Sequence, residues 1–84
     1  MIMIQKLEKL KMRKATNIDK EIGEQIRINR VLQNRSRKWL GDKIGISYHQ
    51  VQNYELGRHR ISASCLLAVS HLLKTPISQF YPKK

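Results

Sequence analysis

The segment from residue 36 to residue 57 constrains the fold more than any other part of the chain, because two short helix patterns meet there at a glycine. Ser36 can cap the first helix, and Gly45 can end it because glycine tolerates positive φ. Ser47 then opens the pattern Ser-x-x-Gln, in which the serine caps the second helix and Gln50 can return a hydrogen bond to the serine amide. The segment therefore predicts two helices joined by a tight corner.

Further helix patterns flank this corner, and polar caps and helix breakers separate them. In chain order, the expected caps and breaks are Asn17 or Asp19, Asn34, Ser36, Gly45, Ser47, Gly57, Ser62 or Ser64, and Thr75 with Pro76. Residues 78–81 have the pattern of one last turn. The side chains expected in the core are Ile22, Ile26, Val31 or Leu32, Leu40, Ile44, Ile46, Val51, Leu66, Leu67, Val69, Leu72 and Leu73.

The charge balance favours a polyanionic partner. The 84 residues include 17 lysines and arginines against 6 aspartates and glutamates, which gives a formal net charge of +11. Such a surplus is typical of nucleic-acid-binding proteins, although ribosomal proteins and membrane-surface peptides share it. A chain of this length supports one compact domain, in which neither a large catalytic cleft nor an enzyme activity is expected.

Cysteine and histidine give no sign of a metal site. Cys65 is the only cysteine, so it can form neither an intramolecular disulfide nor, alone, a thiolate metal site. The spacing of His49, His59 and His71 matches no usual zinc pattern, so we expect no metal and no cofactor. No apolar stretch approaches the roughly 18–20 residues of a membrane span, and no secretory signal is visible. We therefore expect a cytoplasmic protein with no membrane partner.

Composition divides the chain into three parts. Residues 1–16 repeat apolar side chains at helical spacing among basic ones, which predicts a short amphipathic helix. The alternative is a disordered basic arm, since an isolated helix of this length is marginal in water. Residues 17–82 carry the succession of helices, and residues 83–84 form a basic tail. The apolar side chains of the first part are Ile4, Leu7 and Leu10.

Several requirements of one fold coincide around the corner. Gly41 is small where two helices cross, Ile46 and Val51 are apolar where the corner is buried, and the second helix ends with Tyr-Glu-x-Gly. From about residue 19 to residue 81 the sequence resembles the Cro and cI-type phage repressors, also called the XRE family of helix-turn-helix proteins. The runs that carry the resemblance are Ile22-Gly23, Arg27, Arg30, SRKWLGDKIGIS at 36–47 and VQNYELG at 51–57.

The resemblance implies an all-α, compact five-helix domain of the lambda-repressor type, with or without an extra N-terminal helix or disordered arm. Its third helix enters the major groove of duplex DNA, and its second helix lies across the backbone. Arg30 and Glu55 occupy positions that commonly pair in this family, which implies a structural ion pair between the first and third helices. The residues implied to make the corner geometry are Gly41, Gly45, Ile46, Val51, Tyr54 and Gly57.

The polar face of the third helix supplies the candidate base readers. At about 100° per residue, Val51 and Tyr54 fall on one side, while four polar side chains occupy an arc of about 140° on another. Glutamine and asparagine amides can pair bidentately with adenine, and we favour Gln52 and His49 as the main readers. The alternative is a solvated polar face without a ligand. The candidate base readers carried over from the family are Tyr48, His49, Gln52 and Asn53.

Candidate phosphate contacts lie at helix starts and in a basic loop. The family usually has glutamine at the position of Arg37, where a guanidinium can bind a phosphate bidentately but cannot repeat the glutamine contacts. Arg58 and Arg60 follow the third helix, and a merely solvated loop is the alternative for these two. The expected phosphate contacts are Arg37, Lys38, Ser47, Arg58 and Arg60.

These features predict a sequence-specific, double-stranded-DNA-binding transcriptional regulator, and they favour a repressor that occupies promoter DNA and is associated with the nucleoid. A homodimer is also expected, because Phe80, Tyr81 and the Ile77 turn can form a two-fold patch. Alternatively, these aromatics and Trp39 complete the core. Two other functions stay open: an antitoxin that represses its own operon and binds a toxin, and a basic RNA-binding or protein-interaction module.

Overall fold

The computed structural model describes residues 16–82, in which four α-helices are followed by a short 3-10 helix. The elements are α1 (Asn17–Leu32), α2 (Arg37–Ile44), α3 (Tyr48–Glu55), α4 (Ala63–Leu72) and the 3-10 helix (Ile77–Phe80). The all-α prediction is confirmed, with the expected fifth helix reduced to a single 3-10 turn. The helix or arm predicted for residues 1–16 lies, except for Thr16, outside the described residues, and so does the tail.

Hydroxyl side chains start all four α-helices. Thr16 caps α1, and its capping box is complete, because Asp19 N–H donates to the threonine hydroxyl and the Asp19 carboxylate accepts from Thr16 N–H. The prediction that Asn17 or Asp19 is the cap was therefore wrong, since Asp19 is instead the third residue of the helix, which completes the box. The predicted caps at Ser36, Ser47 and Ser62 are confirmed, each accepting from the backbone N–H three residues on.

The buried line of α1 runs through Ile22, Ile26 and Arg30, which are four residues apart. Val31 is 50% exposed and Leu32 is 74% exposed, so the prediction that one of them extends the apolar stripe was wrong. They follow Arg30 by one and two residues, which turns them about 100° and 200° away from the buried line. The last buried position of α1 is thus occupied by a charged residue.

The core lies among the four helices and is closed by the 3-10 helix. Phe80 at the end of that helix is fully buried, so of the two interpretations of this aromatic the core is the one observed. Trp39 also packs against the core, whereas Tyr81 is 44% exposed. The expectation that Leu67 is buried was wrong, because it lies 46% exposed on the outer side of α4. The fully or nearly fully buried apolar side chains are Ile22, Ile26, Leu40, Val51, Leu66, Val69, Leu73 and Phe80.

The corner between α2 and α3 depends on two glycines for different reasons. Gly45 ends α2 in the left-handed region, with φ at 90°, and its N–H donates to the Gly41 carbonyl at 2.7 Å. A Cβ on Gly41 would lie 2.6 Å from the carbonyl oxygen of Ile46, so only glycine lets the chain pass this close after the turn. The predicted roles of Gly45 as the end of α2 and of Gly41 as the point of close approach are confirmed.

Candidate nucleic-acid interface

One side of α3 presents polar side chains that make no hydrogen bonds within residues 16–82. Tyr48 is 50% exposed, His49 is exposed, and Gln52 and Asn53 are half-buried. The Tyr48 and His49 rings lie side by side, with centroids 4.1 Å apart and planes tilted by 31°. The four predicted base readers therefore share one surface, the α3 polar face, whose donors and acceptors are available to a ligand.

Other residues of α3 fix the helix to the rest of the domain. Val51 is 2% exposed in the core, and Glu55 is 3% exposed at the end of the helix. Gly23 of α1 allows this end to approach closely, because a Cβ there would clash with the Tyr54 carbonyl and lie 2.8 Å from the Glu55 carbonyl oxygen. Helix α3 thus rests directly on the backbone of α1.

The Glu55 carboxylate joins three helices, and we call it and its two arginines the ionic junction. Arg30 of α1 donates to it through Nε at 2.6 Å and Nη2 at 3.1 Å, which confirms the predicted contact between these two residues. Arg37, the first residue of α2, donates to it through Nε at 2.9 Å. Arg30 Nη1 also donates to the Arg35 carbonyl at 2.7 Å. The carboxylate is fully buried, and three charge-assisted hydrogen bonds compensate its loss of water.

Arg37 is therefore both a structural residue and a candidate phosphate contact. Its side chain is 34% exposed, and its two Nη groups have no partner within residues 16–82. Sequence reasoning paired Glu55 with Arg30 alone and did not find this second arginine. The available signal was the substitution of arginine for glutamine at the start of α2, because a cation at that corner of the bundle can reach the same carboxylate.

The remaining phosphate candidates lie in three different environments. Lys38 donates to Asp42 at 2.8 Å on the exposed surface of α2, a bond that raises the pKa of the lysine and keeps it charged. Ser47 caps α3 by accepting from Gln50 N–H at 3.1 Å, and its hydroxyl hydrogen can still be donated to a ligand. Arg58 is exposed, whereas Arg60 Nε lies 3.4 Å from the buried Asp19 carboxylate of α1. The structure thus brings Arg37, Lys38 and Ser47 to the helix starts and ties Arg60 to α1.

The Gln50 side chain has a partner other than the one expected. The Ser-x-x-Gln pattern predicts a bond back to the Ser47 amide, but Gln50 Oε1 instead lies 3.2 Å from Nδ1 of His59 in the loop after α3. Gly57, with φ at 71°, turns the chain into that loop, and a Cβ on it would lie 2.6 Å from the Lys20 Cα. The prediction that Gly57 ends α3 is confirmed, while the return bond of Gln50 was wrong.

Cys65 is a free, half-buried cysteine. Burial raises the pKa of its thiol, and a hydrogen bond with Tyr54 partly opposes that shift. Within residues 16–82, no group of three or more histidine, cysteine or acidic side chains is arranged to hold a metal ion. Over the same residues no helix has the length and apolar character needed to cross a bilayer.

The sequence is similar to bacterial proteins named as helix-turn-helix transcriptional regulators. It is 38% identical over 69 residues to an uncharacterized HTH-type transcriptional regulator of Sinorhizobium medicae, which covers 82% of this chain and 50% of that protein. It is 41% identical over 69 residues to the regulator y4wC of Sinorhizobium fredii, covering 82% of this chain and 48% of that one. The chain thus spans about half the length of these relatives. No protein-family model matches it.

Solved structures share the fold at low sequence identity. The clp gene regulator ClgR of Corynebacterium glutamicum superposes with a TM-score of 0.73 at 21% identity, over 75% of this chain and 67% of that one. The restriction-modification controller C.AhdI of Aeromonas hydrophila also gives 0.73, at 18% identity, over 79% of this chain and all of its own. Hydroxypropylphosphonic acid epoxidase of S. wedmorenis gives 0.72 at 19% identity, over 84% of this chain but 36% of the enzyme. The fold alone therefore does not distinguish a regulator from part of an enzyme.

Proposed function

We propose that this chain is a helix-turn-helix protein of the Cro/cI (XRE) family and that it is a sequence-specific DNA-binding repressor, which acts by occupying promoter DNA. The relatives are named as transcriptional regulators, which supports a regulatory role and no catalytic one. The observation that carries the proposal is the α3 polar face, since its four side chains have no partner within residues 16–82, while Val51 and Glu55 of the same helix are buried and Glu55 is bound by two arginines.

The α3 polar face has the size and chemistry of a major-groove reader. The major groove is about 12 Å wide and admits one α-helix, so α3 can bring a continuous polar surface to the base edges. In this pose Gln52 and His49 read bases, with Tyr48 and Asn53 beside them. Each well-placed bidentate pair contributes about 1–3 kcal/mol of discrimination. Side chains without internal partners can make these bonds without first breaking others.

The phosphate contacts surround this face. We assign Arg37 and Lys38 to the backbone contact at the start of α2, Ser47 to the start of α3, and Arg58 and Arg60 to the loop after it. The excess of 17 basic over 6 acidic residues supports such contacts, because each neutralised phosphate releases counterions. These contacts hold the domain in register along the duplex and do not select sequence.

A symmetric pair of domains is part of the proposal. Tyr81 is exposed and Ile77 is half-buried at the C-terminal end of the domain, where they can meet the same residues of a second copy. Phe80 does not take part, because it lies in the core. Two domains related in this way would read half-sites about 34–36 Å apart on a pseudo-palindromic operator. Such a regulator works in the cytoplasm, where the nucleoid is.

Selection of bound sequences from random duplex DNA at about 150 mM salt tests the proposal. We expect one enriched motif with two-fold symmetry, since two identical domains read it. A motif without symmetry would support a monomeric regulator. Enrichment of no motif, or equal binding of A-form RNA, would overturn sequence-specific DNA recognition and favour a general RNA-binding or protein-interaction module.

A further inference from the structure

The loop after α3 folds back onto the helix and carries a histidine to its surface. The backbone N–H groups of Arg58 and His59 both donate to the Asn53 carbonyl, at 2.9 and 3.4 Å. The His59 ring lies with Nδ1 3.2 Å from Gln50 Oε1. Because an amide oxygen only accepts, the proton of this bond belongs to Nδ1. The other ring nitrogen, Nε2, has no partner within residues 16–82.

Gln50 lies at the edge of the α3 polar face. At about 100° per residue, the face extends from Tyr48 to Asn53, and Gln50 lies about 60° beyond Asn53. A helix seated in the major groove meets base edges near the centre of its exposed arc and the sugar-phosphate walls at the margins. His59, held against Gln50, is therefore placed at the level of a groove wall.

The two arginines that flank His59 differ from it in their surroundings. Arg60 is directed to α1, where its Nε lies 3.4 Å from the Asp19 carboxylate, and Arg58 is exposed without an ion pair in the described part of the chain. His59 is fixed to α3 by its side-chain hydrogen bond to Gln50. The bond to Gln50 therefore determines where His59 lies relative to the α3 polar face.

We propose that His59 contacts a DNA phosphate in its protonated form, that Gln50 positions it, and that DNA binding consequently takes up a proton. This inference rests on the proposed DNA-binding function. A phosphate anion near an imidazole favours the charged ring, and histidine is the side chain that ordinarily titrates between pH 5 and 8. Because the complex holds one more proton than the free components, affinity falls as the pH rises, by at most about tenfold per unit.

Other ionisable groups near His59 define the controls. Arg58 and Arg60 are its neighbours in the loop, and both oppose a further positive charge. From α1, Lys20 lies against Gly57 at the start of the loop, and Asp19 pairs with Arg60. On α3, His49 is a second exposed imidazole. Of these residue types only histidine ordinarily titrates near neutral pH, so His49 is the competing source of a pH effect.

The experiment measures the affinity of the whole chain for a mixed-sequence duplex of about 24 base pairs, at about pH 6 and about pH 7.5 in the same salt. We expect the wild-type chain to bind more tightly at the lower pH. His59→Gln should weaken binding at the lower pH by about five- to tenfold and remove most of the pH dependence. His59→Lys should keep the affinity and lose the pH dependence, because lysine stays charged across this range.

Two histidine variants serve as matched controls. His71→Gln changes an exposed histidine on α4 and should leave both affinities unchanged. His49→Gln should keep the His59-dependent difference between the two pH values. The positioning role is tested by Gln50→Ala, which should weaken binding in the wild-type chain and have no further effect in the His59→Gln background.

Each outcome decides between the inference and the function on which it rests. If the wild-type chain does not bind duplex DNA, both are wrong. If it binds but His59→Gln behaves like His71→Gln, the inference is wrong and the DNA-binding proposal stands. A pH dependence that disappears in His49→Gln and persists in His59→Gln would also overturn the inference. Equal effects of Gln50→Ala in both backgrounds would remove the positioning role.

Discussion

The two ends of α3 are held in opposite ways. At its C-terminal end, the Glu55 carboxylate is fully buried and accepts three hydrogen bonds from Arg30 and Arg37. At its N-terminal end, Tyr48 and His49 lie exposed and make no side-chain hydrogen bond within residues 16–82. This helix of eight residues thus has one end built into the domain and one end whose side chains are exposed.

This difference separates the residues that hold α3 in place from the residues that are available to a ligand. A buried carboxylate is costly to desolvate and adds little net stability even when well paired, so the ionic junction is better understood as fixing the orientation of α3. The exposed side chains carry no such constraint, because water satisfies them until a ligand replaces it. The residues that orient α3 therefore differ from the residues that we propose to recognise DNA.

Removal of the buried carboxylate should have the largest effect. Glu55→Ala leaves two guanidinium groups without their shared partner, and we expect a loss of about 3–5 kcal/mol in the free energy of unfolding, measured by urea denaturation. Small domains are only marginally stable, so a loss of this size can unfold the chain. Glu55→Gln keeps the shape of the side chain without its charge, and we expect it to fold with a smaller loss of stability.

The matched control for this prediction is Glu24→Ala. Glu24 pairs with Arg27 at 2.7 Å on the exposed surface of α1, where ion pairs contribute little, so its removal should leave the unfolding curve unchanged. A loss of similar size in Glu24→Ala and Glu55→Ala would mean that the ionic junction does not hold α3, and the comparison between its two ends would fail.

A base reader should behave in the opposite way. Gln52→Ala is expected to leave the free energy of unfolding unchanged and to relax preference at a single base pair, with a loss of about 1–3 kcal/mol of discrimination there. Repeating the duplex selection with this variant measures the change. Gln79→Ala, at an exposed glutamine of the 3-10 helix, is the control and should return the wild-type motif. Loss of preference at every position would show that Gln52 supports the fold and does not read a base.

Sequence reasoning predicted the helix corner well because local rules determine it. Gly45 in the left-handed region, the cap at Ser47 and the close approach at Gly41 all follow from residue types at fixed spacing. The pairing of Arg30 with Glu55 came from family resemblance, and the geometry agrees with it.

Contacts between distant residues were the ones that the sequence could not determine. Gln50 satisfies a local capping pattern, yet its side chain bonds to His59, because the turn at Gly57 brings the loop back over α3. The apolar spacing of α1 likewise predicted Val31 or Leu32 inside, but the position that faces α3 is Arg30. In both places the sequence allowed more than one arrangement, and contacts between distant residues determine which one forms.

Arg37 combines the two roles, because it binds Glu55 and is also a candidate phosphate contact. Its replacement should give the smallest of the expected effects. Its Nε is bound to Glu55, while its Nη groups have no partner in the described domain. If those groups contact a phosphate, Arg37→Ala should weaken binding to all duplexes alike and reduce the slope of log affinity against log salt by about 0.9. Arg27→Ala, which removes an exposed arginine of α1 paired with Glu24, should leave the slope unchanged. An unchanged slope in Arg37→Ala together with a lower unfolding free energy would assign Arg37 wholly to the ionic junction, since a structural residue alters stability without releasing counterions.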